Sequence, residues 1–178
     1  MTAGSAEIGG VVWGRVRAHD DSRGAFREVW RASALPGSPR FVQANLSTSR
    51  VGVLRALHYH RRQLDHWIVV AGRVFVALVD LRPVKADTTA EPLVQTRRLS
   101  IDDSVSIPPY VAHGFLAIEP TQLLYLVTTE YDGTDELGVA WNDPEIAVPW
   151  PVQDVRGELV LSDRDRGNPS LTSIRGRI

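Results

Sequence analysis

The 178-residue chain contains no cysteine, which removes disulfides, thiolate metal sites and a cysteine nucleophile at once. A cysteine-free composition suits a reducing compartment. Lysine is almost absent as well: Lys85 is the single lysine among 20 Lys and Arg residues. Arginine makes planar, bidentate contacts to phosphate and carboxylate, although a high-GC genome produces the same bias. Neither sign of charge dominates. With 21 Asp and Glu the formal charge is −1, so no whole-protein field marks a nucleic-acid or membrane partner. No apolar run approaches membrane-spanning length. The opening MTAGSAEIGG has neither the basic region nor the apolar stretch of a leader peptide. A cytoplasmic protein with no nucleic-acid or membrane partner is the expectation.

Hydrophobic residues make up 43% of the chain and charged residues 23%, the composition of an ordinary globular domain. The length suits a single domain over 1–178. Residues 1–10 read as a loose N-terminal tail and 167–178 as a weakly ordered one. Between them run short segments rich in Val, Ile, Thr and aromatics, such as RFVQANLSTS, VGVLRALHYH, HWIVVAG, RVFVALVDLR and QLLYLVTTEY, separated by Gly, Pro, Asp and Ser. No segment before residue 150 sustains a helical apolar period over three turns. The pattern predicts an all-β sandwich or barrel. In LSDRDR a serine precedes a charged turn, which predicts a short C-terminal helix. RVFVALVDLR is apolar on both faces, an arrangement that a subunit interface over its outer face explains. A homodimer is the corresponding expectation.

The chemistry-bearing stretch is VGVLRALHYHRRQLDHW, residues 51–67. Residues i and i+2 of a strand share a face, so His58 and His60 point one way and Tyr59 the other. A solvated pair at a strand end beside Arg61 and Arg62 is the plainer reading of an isolated His-x-His. Here a third imidazole, His113, follows the Pro-Pro turn of SIPPYVAHGF. The order Gly52, His58-x-His60, Asp65, Gly72 and then Pro108 to His113 resembles the two-part cupin motif. In metal-binding cupins that motif supplies three His and a carboxylate, a donor set suited to Fe, Mn, Ni or Zn. One reading therefore makes His58, His60, Asp65 and His113 metal ligands.

A broader resemblance gives a different reading. DSRGAFREVW (21–30), FVQANLSTS (41–49), GVLRALHYH (52–60), VFVALVDLR (74–82), IPPYVAHGF (107–115), YLVTTEYDGTDELGVAWNDPEI (125–146), VPWP (148–151) and LSDRDR (161–166) follow one another in the order of the dTDP-4-dehydrorhamnose 3,5-epimerase family, which the chain resembles over most of residues 20–166. The resemblance implies a jelly-roll cupin barrel, a nucleotide-diphospho-4-keto-6-deoxy sugar as substrate, and no cofactor or metal. It implies that His58 is the base, that Asp165 orients it, and that Tyr131 returns a proton on the opposite face. It further implies that Arg23 and Arg55 meet the diphosphate or sugar, Phe26 and Glu28 the nucleoside, and Gln43, Asn45 and His113 the pocket, with part of the nucleotide site coming from a partner subunit.

Two positions depart from the family pattern. His60 stands where the family has Gln, and Asp65 stands where it has a Lys expected to stabilise the enolate. A carboxylate there repels a developing oxyanion. Three readings stay open: an epimerase with a re-registered loop supplying charge, a metal-dependent cupin enzyme, and a non-catalytic nucleotide-sugar-binding cupin.

Overall fold

The apolar runs pair into antiparallel sheets. A computed structural model describes residues 7–35, 37 and 39–178. Its strands in chain order are β1 (Val12–Arg15), β2 (Ala18–Asp21), β3 (Gly24–Arg27), β4 (Gln43–Ser49), β5 (Leu54–Tyr59) and β6 (Asp65–Ala71), followed by β7 (Arg73–Asp80), β8 (Leu93–Ser100), β9 (Asp103–Ile107), β10 (Val111–Ala117), β11 (Thr121–Val127) and the short β12 (Leu137–Gly138). One five-stranded sheet has the order β1-β9-β6-β11-β4, the other β12-β5-β10-β7-β8, and β2 pairs with β3 as a separate hairpin. Three short helices complete the chain: α1 (Arg82–Ala86), α2 (Asp163–Gly167) and α3 (Leu171–Ile174). The result is the expected jelly-roll barrel with a short C-terminal helix.

Alternation along the strands builds the interior. Trp67, Val69, Val105 and Leu123 from the first sheet meet Val74, Val76, Leu78 and Phe115 from the second. Ile8 joins this cluster at 2% exposure. Of the expected loose tail, residues 1–6 lie outside the described residues. The part that follows does not hang free, because Ile8 is anchored in the core and its amide donates to the Gln95 side chain.

The two-faced strand β7 has a different explanation from the one its sequence suggests. Val74, Val76 and Leu78 face the barrel interior, whereas Phe75, Ala77 and Val79 belong to a second apolar cluster. The chain's own C-terminal third covers that outer face, with Ile146, Trp150, Val155, Leu171, Ile174 and Ile178 packed against it. A subunit interface is not needed to bury β7. The expectation for 167–178 changes with it. Ser170 caps α3, and Leu171 and Ile174 are buried. Their burial offsets the entropy of ordering this segment, since a fully buried aliphatic side chain contributes roughly 1.5–3 kcal/mol. No described helix is long and apolar enough to cross a membrane.

Candidate active site

Both histidines of the His-x-His pair lie at the end of β5, and the neighbouring strand decides what they face. Strict alternation would send Arg55 and His58 to opposite sides. In the pairing with β10, His113 opposes His58 and Phe115 opposes Arg55, so two steps on β10 span three on β5. The extra residue is a β-bulge, which re-aims side chains at a site. Gly114 permits it. A Cβ there would lie 2.3 Å from the Ala56 Cβ and 2.7 Å from the Arg55 carbonyl oxygen. Arg55 and His58 consequently line one cavity of about 410 Å³ between the sheets.

Asp165 reaches this cavity wall from the other end of the chain. Val160 forms a parallel bridge with Val53, and its carbonyl accepts from the Leu54 amide at 2.9 Å. The chain then enters α2, where the Ser162 hydroxyl accepts from the Asp165 amide at 3.1 Å. This cap fixes the first helical turn and sets the buried Asp165 against β5. The His58 Nε2 and Asp165 Oδ1 are 2.6 Å apart. A carboxylate accepts, so Nε2 carries the hydrogen and Nδ1 is left as the basic nitrogen of the neutral ring.

Tyr131 sits on the loop after β11, lines the cavity and is 68% exposed. Its backbone amide donates to the Gln43 side chain at 2.9 Å, and the Gln43 amide in turn donates to Asn45 at 2.9 Å. At that exposure Tyr131 is not an aromatic packed under the loop. Arg55 donates from Nε to the Ser49 hydroxyl at 3.2 Å, which steadies its stem beside the cavity.

His60, Asp65 and His113 form a separate cluster deeper in the barrel. Their donor atoms lie within 4.8 Å of one another. His58 is not part of it, so the four-ligand metal set read from the motif reduces to three. Burial pushes His113 down to about 4, against the pull of Asp65. His66, next to the cluster in sequence, points elsewhere and bonds Ser106; burial pushes it down to about 4 as well.

Not every expected residue reaches the cavity. Arg23 pairs with Asp21 and Glu28 with Arg31, while Phe26 is 69% exposed. All three belong to the β2–β3 hairpin and its continuation, and none lines the cavity. Conversely, Ser47, Trp67 and Tyr125 line it without having been singled out. Alternation from Asn45 on β4 would have found Ser47, and alternation from Asp65 on β6 would have found Trp67. Asp135, on a loop, carries no sequence signal, yet it holds the turn after β5: its carboxylate accepts from the Arg61 and Arg62 amides at 2.9 and 3.0 Å.

Comparison with known proteins agrees with this geometry. Residues 5–173 match the family model described as dTDP-4-dehydrorhamnose 3,5-epimerase. The chain is 37% identical over 178 residues to the dTDP-4-dehydrorhamnose 3,5-epimerase of Pseudomonas aeruginosa, covering 93% of both chains. Among solved structures it is similar to the rmlC epimerase of Mycobacterium tuberculosis, with TM-score 0.83 and 31% identity over 98% of this chain and 90% of that one. It is also similar to the RmlC 3,5-epimerase of Legionella pneumophila solved with dTDP-4-keto-L-rhamnose, with TM-score 0.82 and 30% identity over 96% of this chain and 92% of that one. With a bulged β5, a capped aspartate behind His58 and this likeness across nearly its whole length, the chain belongs to the dTDP-4-dehydrorhamnose 3,5-epimerase family.

Proposed function

We propose that the protein epimerises one or both carbons flanking the ketone of a nucleotide-diphospho-4-keto-6-deoxy sugar in deoxysugar biosynthesis. The observation that carries this reading is the 2.6 Å contact between His58 and the buried Asp165 at the wall of the cavity. A proton beside a ketone is acidic because its bonding pair can delocalise onto the oxygen. His58 Nδ1 takes that proton, and Asp165 stabilises the imidazolium that forms. Tyr131, at the cavity mouth, returns a proton to the opposite face, without which the starting configuration would be restored. Removing and returning a proton changes no oxidation state, so the reaction calls for no redox cofactor.

The remaining assignments follow the cavity. Arg55 suits the diphosphate or sugar, with Gln43, Asn45 and His113 as polar pocket positions. Arg23, Phe26 and Glu28 sit on an exposed hairpin, and in the proposed homodimer they complete the nucleotide site of the partner subunit. Exposed Phe26 and Leu46 supply apolar surface for such a contact. A cytoplasmic setting goes with this reading, since a cysteine-free chain suits a reducing compartment.

The test is incubation with dTDP-4-keto-6-deoxyglucose in D₂O, with deuterium followed by NMR at both carbons beside the ketone. Incorporation that disappears in His58→Ala supports the reading. A bound substrate that exchanges at neither carbon sinks it in favour of a binding protein.

A further inference from the structure

We propose that His60, Asp65 and His113 form a binding site for one divalent transition-metal cation, beside the catalytic base and separate from it. One nitrogen of each imidazole already has a partner. The His60 Nδ1 lies 2.5 Å from the Asp135 carbonyl oxygen, and the His113 Nδ1 lies 3.0 Å from the Val111 carbonyl oxygen. A carbonyl only accepts, so both Nδ1 atoms carry the hydrogen and both Nε2 atoms present a lone pair. The two lone pairs converge on one carboxylate, with His60 Nε2 at 3.9 Å from Asp65 Oδ1 and His113 Nε2 at 3.6 Å from Asp65 Oδ2.

The carboxylate is held just as firmly. Gln63 donates to Oδ1 at 2.7 Å and the Trp67 indole donates to Oδ2 at 3.2 Å. Imidazoles anchored through Nδ1 to carbonyls, and a carboxylate anchored by flanking donors, are the outer-shell pattern of metal ligands. The edge of Trp67 against His113, at 5.1 Å between ring centroids, fixes that ring further.

Three acceptor atoms thus face one another in a nearly dry part of the barrel, where His113 and Asp65 side chains are each 5% exposed. A water has two protons and can serve both Nε2 atoms, because Asp65 already accepts from Gln63 and Trp67; a cation engages both nitrogens and the carboxylate together. Ligands bound about 2.0–2.2 Å from zinc stand roughly 3.3 Å apart in a tetrahedron, so donor atoms now within 4.8 Å of one another close by up to about 1.5 Å on binding. Two imidazoles and a carboxylate with a further position open suit Zn²⁺, Co²⁺, Ni²⁺ or Fe²⁺.

Of the carboxylates among the described lining residues, Asp132 and Asp135 pair with Arg62 and Glu136 with Arg164, whereas Asp65 lies beside the two imidazoles. A bound divalent ion supplies the positive charge that an enolate oxygen requires, a role that rests on the epimerase reading. Binding of the ion itself does not depend on that reading.

The test is calorimetric titration of chelator-treated protein with Zn²⁺ and with Co²⁺, the latter also read by its visible absorption. The site is supported if one ion binds per chain and if His60→Gln, Asp65→Asn and His113→Gln each weaken binding by roughly 100-fold or more while His58→Ala does not. Circular dichroism melts in the absence of metal establish that each variant is folded. Absence of binding by the folded wild-type chain overturns the proposal, as does binding that Asp65→Asn leaves unchanged or that His58→Ala abolishes. Deuterium exchange, measured separately with metal-free and with Zn²⁺-loaded protein, keeps the two readings apart: exchange without metal binding sinks this site alone, and metal binding with no exchange in either state sinks the epimerase alone.

Discussion

His58 and Asp165, 107 residues apart in sequence, meet at 2.6 Å because a bridge between Val53 and Val160 lays the segment before α2 alongside the start of β5. The carboxylate holds the tautomer that leaves Nδ1 basic and stabilises the charge the ring acquires. Asp165→Asn keeps the shape and removes the charge. Its deuterium exchange rate is expected to fall roughly 10²-fold or more, with substrate affinity little changed, as NMR exchange and equilibrium binding would show. An exchange rate within a few-fold of wild type would remove Asp165 from the mechanism.

Tyr131 has the opposite role to His58: it returns a proton and does not take one. Tyr131→Phe should therefore separate two readouts. Deuterium incorporation beside the ketone is expected to continue at a rate within a few-fold of wild type, while formation of the inverted sugar falls roughly 10²-fold. Equal loss of both would show that the phenol acts before or during proton removal.

The bulge in β5 depends on Gly114. Gly114→Ala places a methyl group 2.3 Å from the Ala56 Cβ, so β5 or β10 must shift. Overpacking of this kind costs about 1–3 kcal/mol, measurable by urea denaturation. Because the bulge aims both Arg55 and His58 into the cavity, exchange should fall even in the folded variant. Unchanged stability together with unchanged exchange would contradict this account of the bulge.

The C-terminal segment is part of the core. Leu171→Ala empties a fully buried position against the outer face of the second sheet, with an expected loss of about 2–5 kcal/mol. A change below 0.5 kcal/mol in chemical denaturation would instead mean that this segment contributes little to the fold.

Much of the molecule was legible before its coordinates. Strand positions followed from β-branched and aromatic runs broken by turn residues, since a period of two and local turn chemistry are written in adjacent residues. The serine cap of LSDRDR predicted α2, and Ser162 does cap it. The two-residue strand β12 and the five-residue helix α1 are too short to leave a periodic signal. Tertiary contacts overturned two expectations. The second apolar face of β7 is closed by the chain's own C-terminal third, and 171–177 is helical because burial of Leu171 and Ile174 outweighs the polar look of its sequence.

The site divides in the same way. Residue types, their order, the resemblance to a family of epimerases and the departures at His60 and Asp65 can all be read along the chain. Sorting the histidines cannot, because spacing along one strand says which side chains share a face and nothing about which partners occupy it. Folding turns His58 to Asp165 and turns His60 and His113 to Asp65. Each ring's free nitrogen is selected by the hydrogen bond its other nitrogen makes. Those bonds come from Asp165, Asp135 and Val111, and the first two lie far from the strand that carries His58 and His60.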